Sequence, residues 1–177
     1  MKKTTLATLA TLALMVLAVS PAIAGTATAN VAVSASINNV CTITTGAVAF
    51  GAYDPIVTNA ASPLNASGTV AITCTKGATT TVSLGLGSNP AGSVRKMKDA
   101  GSDLMTYELY QPPNTTPGTA CSYASPTVWG TAGVNLFTPA AAPDKNARTY
   151  NICGQVASGQ DLPFGSYTDT VVATVNF

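Results

Sequence analysis

The chain has 177 residues, 46% hydrophobic and only 8% charged, with a formal charge of +1 and a pI near 7.6 that leave no basic footprint for nucleic acid. A charged fraction so far below the ~25% of an average soluble domain leaves solubility to Thr, Ser, Asn and Gly, which suits an extracellular all-β protein. There is no His, and Glu108 is the lone glutamate, which excludes His-dependent triads, His-ligated metals and imidazole proton shuttles. In chain order, Lys2 and Lys3 precede an uncharged apolar run from Leu6 to Val19, then Pro21 and Ala22-Ile23-Ala24 before Gly25. This is the layout of a secretory signal peptide, residues 1–24, cleaved after Ala24. The run is shorter than the ~20 residues that span a bilayer, so no membrane span is expected after cleavage. Residues 25–177 suffice for one domain with a core.

The segment after the cleavage site alternates strictly. Ala27, Ala29, Val31, Val33, Ala35 and Ile37 are apolar, and Thr28, Asn30, Ala32, Ser34 and Ser36 between them are polar or small. That is a one-faced strand, longer than the usual ~5–6 residues. With neither charge nor Pro it can pair along both edges. An ordinary first strand and a spare strand offered to another chain share this period-2 signature, and pattern alone does not separate them.

Further strands are expected over Cys41–Phe50, Thr69–Thr75, Thr79–Leu86, Leu104–Tyr110, Ala120–Trp129, Arg148–Val156 and Tyr167–Phe177, with Pro-, Gly-, Asn- or Ala-rich loops between them. Eight short strands at this spacing indicate a sandwich. In the last one, Val171, Ala173, Val175 and Phe177 are expected to face the core. An apolar strand ending at the terminal carboxylate, with none following it, would leave an exposed edge. Together with the alternating N-terminal segment this suggests completion of one copy by another.

Export places Cys41, Cys74, Cys121 and Cys153 in an oxidising compartment, where an even count fits two disulfides. Three connectivities are possible. Cys41 with Cys74 and Cys121 with Cys153 are preferred because each closes a local loop of similar length. A thiolate metal site is disfavoured, since no CxxC pair exists and no His completes one.

The other features carry little chemistry. Asp54, Asp99, Asp103, Asp144, Asp161 and Asp169 sit in turn-like contexts where Asp caps backbone, and they form no evident acid/base pair for glycoside hydrolysis. Gly85-Leu86-Gly87 lacks the third Gly and the helix of a phosphate loop. Arg95-Lys96-Met97-Lys98 reads as a solvated loop. Asn65-Ala66-Ser67 and Asn114-Thr115-Thr116 match a glycosylation sequon that a bacterial setting leaves idle. Trp129 and Tyr123 read as core or strand-face aromatics at least as well as adhesive surface groups. No catalytic residue, cofactor or metal is expected.

Several stretches together resemble the spore coat protein U domain family, which includes shaft subunits of archaic chaperone-usher pili. They are Phe50-Gly51-Ala52-Tyr53-Asp54-Pro55, Thr73-Cys74-Thr75, Leu84-Gly85-Leu86-Gly87, Arg95-Lys96-Met97, Leu104 through Tyr110, Gly154-Gln155-Val156 and Gly165 through Phe177. The resemblance implies an incomplete immunoglobulin-like β-sandwich lacking its last strand, over residues 40–177, preceded by a donor-strand segment over 25–39. It implies a pilus subunit assembled by donor-strand exchange and serving adhesion and biofilm formation. The implied partners are a periplasmic chaperone, an outer-membrane usher and neighbouring subunits of a homopolymer. The implied location is the cell surface after passage through the periplasm. The donor residues become Ala29, Val31, Val33, Ala35 and Ile37, with Ala35 smaller than is usual at its position. Val171, Ala173, Val175 and Phe177 become the accepting edge. The alternatives are a secreted spore-coat or matrix protein of the same fold and, from another class, a carbohydrate-binding adhesin.

Overall fold

The computed structural model describes residues 23–177, which fall into two units, 23–36 and Ile37–Phe177. Nearly all of the expected signal peptide, 1–24, lies outside the described residues. In the first unit every residue is exposed and none is in a strand. The expected strand Ala27–Ile37 therefore has no ladder partner among the described residues.

The second unit is all-β, with one short 3-10 turn at Gly133–Asn135. Its strands are β1 (Cys41–Gly46), β2 (Leu64–Cys74), β3 (Thr81–Leu84), β4 (Arg95–Lys98), β5 (Leu104–Tyr110), β6 (Arg148–Val156) and β7 (Ala173–Asn176). Five of them form one sheet in the order β1-β2-β6-β5-β4, and β3 pairs with β7 in a second; every pairing is antiparallel. Alternation sets which face is buried. Val70 and Ile72 of β2, Met105, Tyr107 and Leu109 of β5, and Tyr150, Ile152 and Val156 of β6 point inward to meet Val82 and Leu84 of β3. Each such burial contributes about 1.5–3 kcal/mol. Trp129 is fully buried, donates its indole N–H to Val82 O at 2.9 Å, and packs against Phe137, which in turn meets Tyr150 edge-on.

The expected strand Cys41–Phe50 stops at Gly46, Thr69–Thr75 starts earlier at Leu64 and ends at Cys74, Thr79–Leu86 narrows to Thr81–Leu84, and three further elements depart more strongly. The segment Arg95–Lys98 is a strand, and Arg95 within it is fully buried. Its guanidinium pairs with Glu108 and donates to Gly85 O at 2.9 Å, Leu84 O at 3.0 Å and Trp129 O at 2.6 Å, so each charged or polar partner is satisfied. Residues 120–129 form no strand. They meet the edge of β5 through one bridge, Tyr110 with Val128, flanked by backbone bonds from Gln111 to Thr127 and from Trp129 to Leu109. The expected strand Tyr167–Phe177 shortens to Ala173–Asn176, because its first part serves a different sheet: Thr168 pairs with Lys98 of β4 before Gly85 N–H bonds Val172 O beside β3.

Candidate functional site

The crossover from β4 to β3 leaves an opening along the sandwich. β7 has β3 as its sole ladder partner among the described residues, and its other edge faces the β1 side without pairing. Between them lies a slot of about 360 Å³, with Thr45–Phe50 as one wall and Tyr167–Ala173 as the other. Its floor is apolar: Leu84, Met97, Tyr107, Leu109 and Ile152 line it. A second cleft of about 610 Å³ shares Val48, Phe50, Met97 and Tyr167 with the first and continues toward Pro55 and Phe164.

The wall Thr45–Phe50 follows directly from β1 and is seated by two glycines. A Cβ at Gly68 would lie 2.6 Å from Val48 Cγ2, and one at Gly154 would lie 2.5 Å from Val48 Cγ1 and 2.8 Å from Phe50 Cζ. Only glycine lets these side chains reach the sheet and pack on the core from the slot side.

The opposite wall is pinned by Asp169. Its carboxylate accepts the N–H of Ser88 at 2.7 Å, the N–H of Thr170 at 2.8 Å, the Asn89 amide at 3.4 Å and the Tyr107 hydroxyl at 2.6 Å. Gly87, with φ of 85°, comes so close that a Cβ there would sit 1.8 Å from the carboxylate. Burial, then the hydrogen bond and charge of Asp169, push the Tyr107 phenol well above its ordinary range. The group stays a neutral donor.

The expected accepting residues divide. Val171, Ala173 and Val175 pack against the core, whereas Phe177 lies beyond the end of β7 and is 56% exposed, so it departs from the inward alternation expected of it. The expected donor residues Ala29, Val31, Val33, Ala35 and Ile37 are all exposed, Val33 by 90%. Three residues, Asn38, Asn39 and Val40, lead from Ile37 into β1. They are tethered to the end of β2: Val40 N–H donates to Thr75 Oγ1 at 3.1 Å, the Thr75 hydroxyl bonds Asn38 O at 3.1 Å, and Thr75 N–H donates to Val40 O at 2.9 Å. The tether of Asn38 and Val40 to Thr75 is invisible to periodicity.

Cys41 is joined to Cys74, its direct register partner across β1 and β2, and Cys121 is joined to Cys153 of β6. Asp54, Asp99 and Asp144 serve backbone. Asp54 accepts N–H bonds from Ile56, Val57 and Thr58, which hold its carboxyl below the usual range, led by the Ile56 bond. Asp99 accepts from Asp103 N–H, and Asp144 from Asn146 N–H. Among the described residues no cluster of three His, Cys, Asp or Glu is placed to hold a metal ion, and no helix is long and apolar enough to cross a membrane.

The sandwich has solved counterparts. A chain of the CsuC–CsuE chaperone–tip adhesion subunit pre-assembly complex from archaic chaperone-usher Csu pili of Acinetobacter baumannii superposes with a TM-score of 0.54 at 22% identity, over 80% of this chain and 40% of that one. The present chain thus spans well under half the length of that neighbour, and the likeness is one of fold: a β-sandwich resembling the one in that complex. Protein U of Myxococcus xanthus is 36% identical over 173 residues, covering 90% of each chain. The Spore Coat Protein U domain pattern matches residues 27–174. The chain belongs to the Spore Coat Protein U domain family.

Proposed function

We propose that this protein is an exported structural subunit that polymerises by donor-strand exchange into a surface fibre serving adhesion and biofilm formation, with no catalytic step. The observation that carries the reading is the open slot beside the unpaired edge of β7, in a chain that also presents an exposed alternating segment, Ala29 to Ile37. Added as a strand, that segment of one copy pairs its backbone with the edge of β7 in the next and sets Val31, Val33 and Ile37 on the apolar floor. Each of these side chains contributes about 1.5–3 kcal/mol on burial, in addition to the ladder. Ala35 fills less space and adds less on burial. Before assembly the same slot requires cover, which a periplasmic chaperone supplies by lending a strand, and an outer-membrane usher exchanges it for the next subunit. The likeness of fold to a chain solved in a chaperone–subunit pre-assembly complex supports this reading.

A second reading, a secreted coat or matrix protein assembled by the same exchange without a long fibre, is favoured by the match to the Spore Coat Protein U domain. Electron microscopy of the cell surface separates the two: fibres for the first, an amorphous layer for the second.

The test compares Val33→Asp with Ser34→Asp. A carboxylate at 33 would be carried into the slot unpaired, at a cost of several kcal/mol or with forced neutralisation, whereas one at 34 points away. Val33→Asp abolishes SDS-resistant surface polymer while chaperone-bound subunit accumulates normally, and Ser34→Asp polymerises. Equal polymer from both variants refutes the reading. Loss of the chaperone-bound subunit in Val33→Asp makes the segment an ordinary core strand.

A further inference from the structure

Beyond the slot, one end of the second unit carries an apolar surface with nothing over it. Phe164 is 103% exposed, Ile56 83% and Val57 75%. They belong to one pole. The turn containing Ile56 and Val57 is tied to the loop before Phe164 by Gly159 N–H on Asn59 O at 2.8 Å and by the Tyr53 hydroxyl on Ala157 O at 3.0 Å. Pro55 and Phe164 line the same cleft, which continues from the slot. Clustered apolar side chains of this kind mark an interaction surface.

The direction of strand addition says what reaches this pole. Every strand pair among the described residues is antiparallel. A strand that enters the slot antiparallel to β7, in keeping with these pairings, places its Ala29 end beside Val175 and its Ile37 end beside Phe50 and Tyr167. Its next residues, Asn38 to Val40, then leave over the second cleft. Three extended residues span only about 10 Å, and Thr75 of the donating copy holds them to the end of its own β2. The donating domain cannot swing clear of the Phe164 pole.

We propose that Ile56, Val57 and Phe164 form a second contact between successive copies, outside the slot, against the partner copy's surface around Val40 and the β2–β3 turn at Thr75–Ala78. The charges agree: Asp161 is exposed beside the apolar pole, and Lys76 is exposed in that turn. The two contact surfaces lie at opposite ends of one domain, so the interface is heterologous and propagates as an open filament. This proposal rests on donor-strand exchange as read above and goes beyond it by fixing how the two domains meet.

The test places a benzophenone amino acid at Phe164 in the full chain and irradiates surface polymer. Because Phe164 is fully exposed, the replacement leaves folding intact. After boiling in SDS, the expected result is a shift from subunit to dimer and larger bands, with cross-linked peptides mapping to residues 38–40 or 75–78 of the neighbour. Absence of covalent dimers, or links mapping elsewhere, overturns the contact. A second measurement is the persistence length of fibres carrying Ile56→Ser and Phe164→Ser, which falls at least twofold; an unchanged value overturns the contact as well. Val33→Asp in parallel separates the two ideas. If it blocks polymer while polymer carrying the benzophenone at Phe164 fails to cross-link, the contact alone is wrong. If it polymerises normally, exchange through this segment is wrong and the contact falls with it.

Discussion

Val48 rests on the bare backbone of Gly154, where a Cβ would approach its Cγ1 to 2.5 Å. Val48 is β-branched and stiff at χ1, and it is held from below by Gly68, where a Cβ would meet it at 2.6 Å. The wall of the slot therefore has no room to yield.

Gly154→Ala is expected to destabilise the domain by roughly 1–3 kcal/mol, the usual cost of overpacking, and to displace Val48 and Phe50 toward the slot. Gly85→Ala is the control. Its added carbon meets Val172 O at 3.6 Å, an ordinary contact, and its φ is not positive. Urea unfolding of the two variants should show a lowered midpoint for the first and an unchanged one for the second, while polymer yield falls only for Gly154→Ala.

Much of this architecture was legible in the sequence, for reasons that differ by element. β5 and β6 coincide with their expected spans, Leu104–Tyr110 and Arg148–Val156, because both are central strands with one face on the core and so keep a clean period of two. β4 was missed because its residues, Arg-Lys-Met-Lys, are those of a solvated loop. What makes it a strand is nonlocal: Glu108 of β5, the carbonyls of Leu84 and Gly85 at the end of β3, and that of Trp129 receive Arg95. Residues 120–129 have strand-like composition, yet Pro126 and the positive φ of 53° at Ser125 break the run into isolated contacts. The slot itself is an absence of pairing. No local pattern announces it beyond the strand-forming character of Val171 to Val175.

Arg95 supplies the next prediction. Replacing it by Met removes the cation while Glu108 and the carbonyls of Leu84, Gly85 and Trp129 lose their donor, and breaking a buried pair in this way costs about 3–5 kcal/mol. Lys at this position recovers little, because one ammonium cannot reach four acceptors spread around a planar fork. Denaturant melts of Arg95→Met and Arg95→Lys should both show losses of this order. A loss under 1 kcal/mol in either would mean that the network is incidental.

The two disulfides should differ in consequence. Their loops are nearly equal, with separations of 33 and 32 residues, so the chain-entropy contribution of each is roughly 3–4 kcal/mol. Cys41–Cys74 additionally anchors the edge strand β1, which has β2 as its sole ladder partner and leads into the slot wall. Paired replacement of Cys41 and Cys74 by Ala should therefore lower both folded yield and strand acceptance, whereas replacement of Cys121 and Cys153 should lower stability with acceptance retained. Binding of a synthetic peptide spanning residues 27–38 to each variant measures acceptance directly. Equal peptide affinity in both variants would show that β1 holds its place without the bond.

Asp169 and Tyr107 give the slot a dependence on alkaline pH. The phenol is held protonated in the folded state, mainly by burial and then by Asp169, so its pKa is raised above the unfolded value near 10. A raised pKa means that the folded form keeps a proton that the unfolded form releases. The stabilisation is complete below about pH 10 and is lost as pH rises from there through the folded value. Tyr107→Phe removes this proton, so its stability should decline less steeply between pH 9 and pH 11 than that of the parent chain, although it starts lower at pH 9 for want of the hydrogen bond. Asp169→Asn keeps the shape but gives up the charged acceptor shared by Ser88, Thr170 and Tyr107, at a cost of about 1.5–3 kcal/mol. Because the carboxylate pins the stretch of chain that crosses from β4 to β3, Asp169→Asn should also accept the 27–38 peptide more slowly. Urea midpoints across this pH range, together with peptide association rates, check both effects. Parallel pH slopes for the parent and Tyr107→Phe would place the titrating group elsewhere.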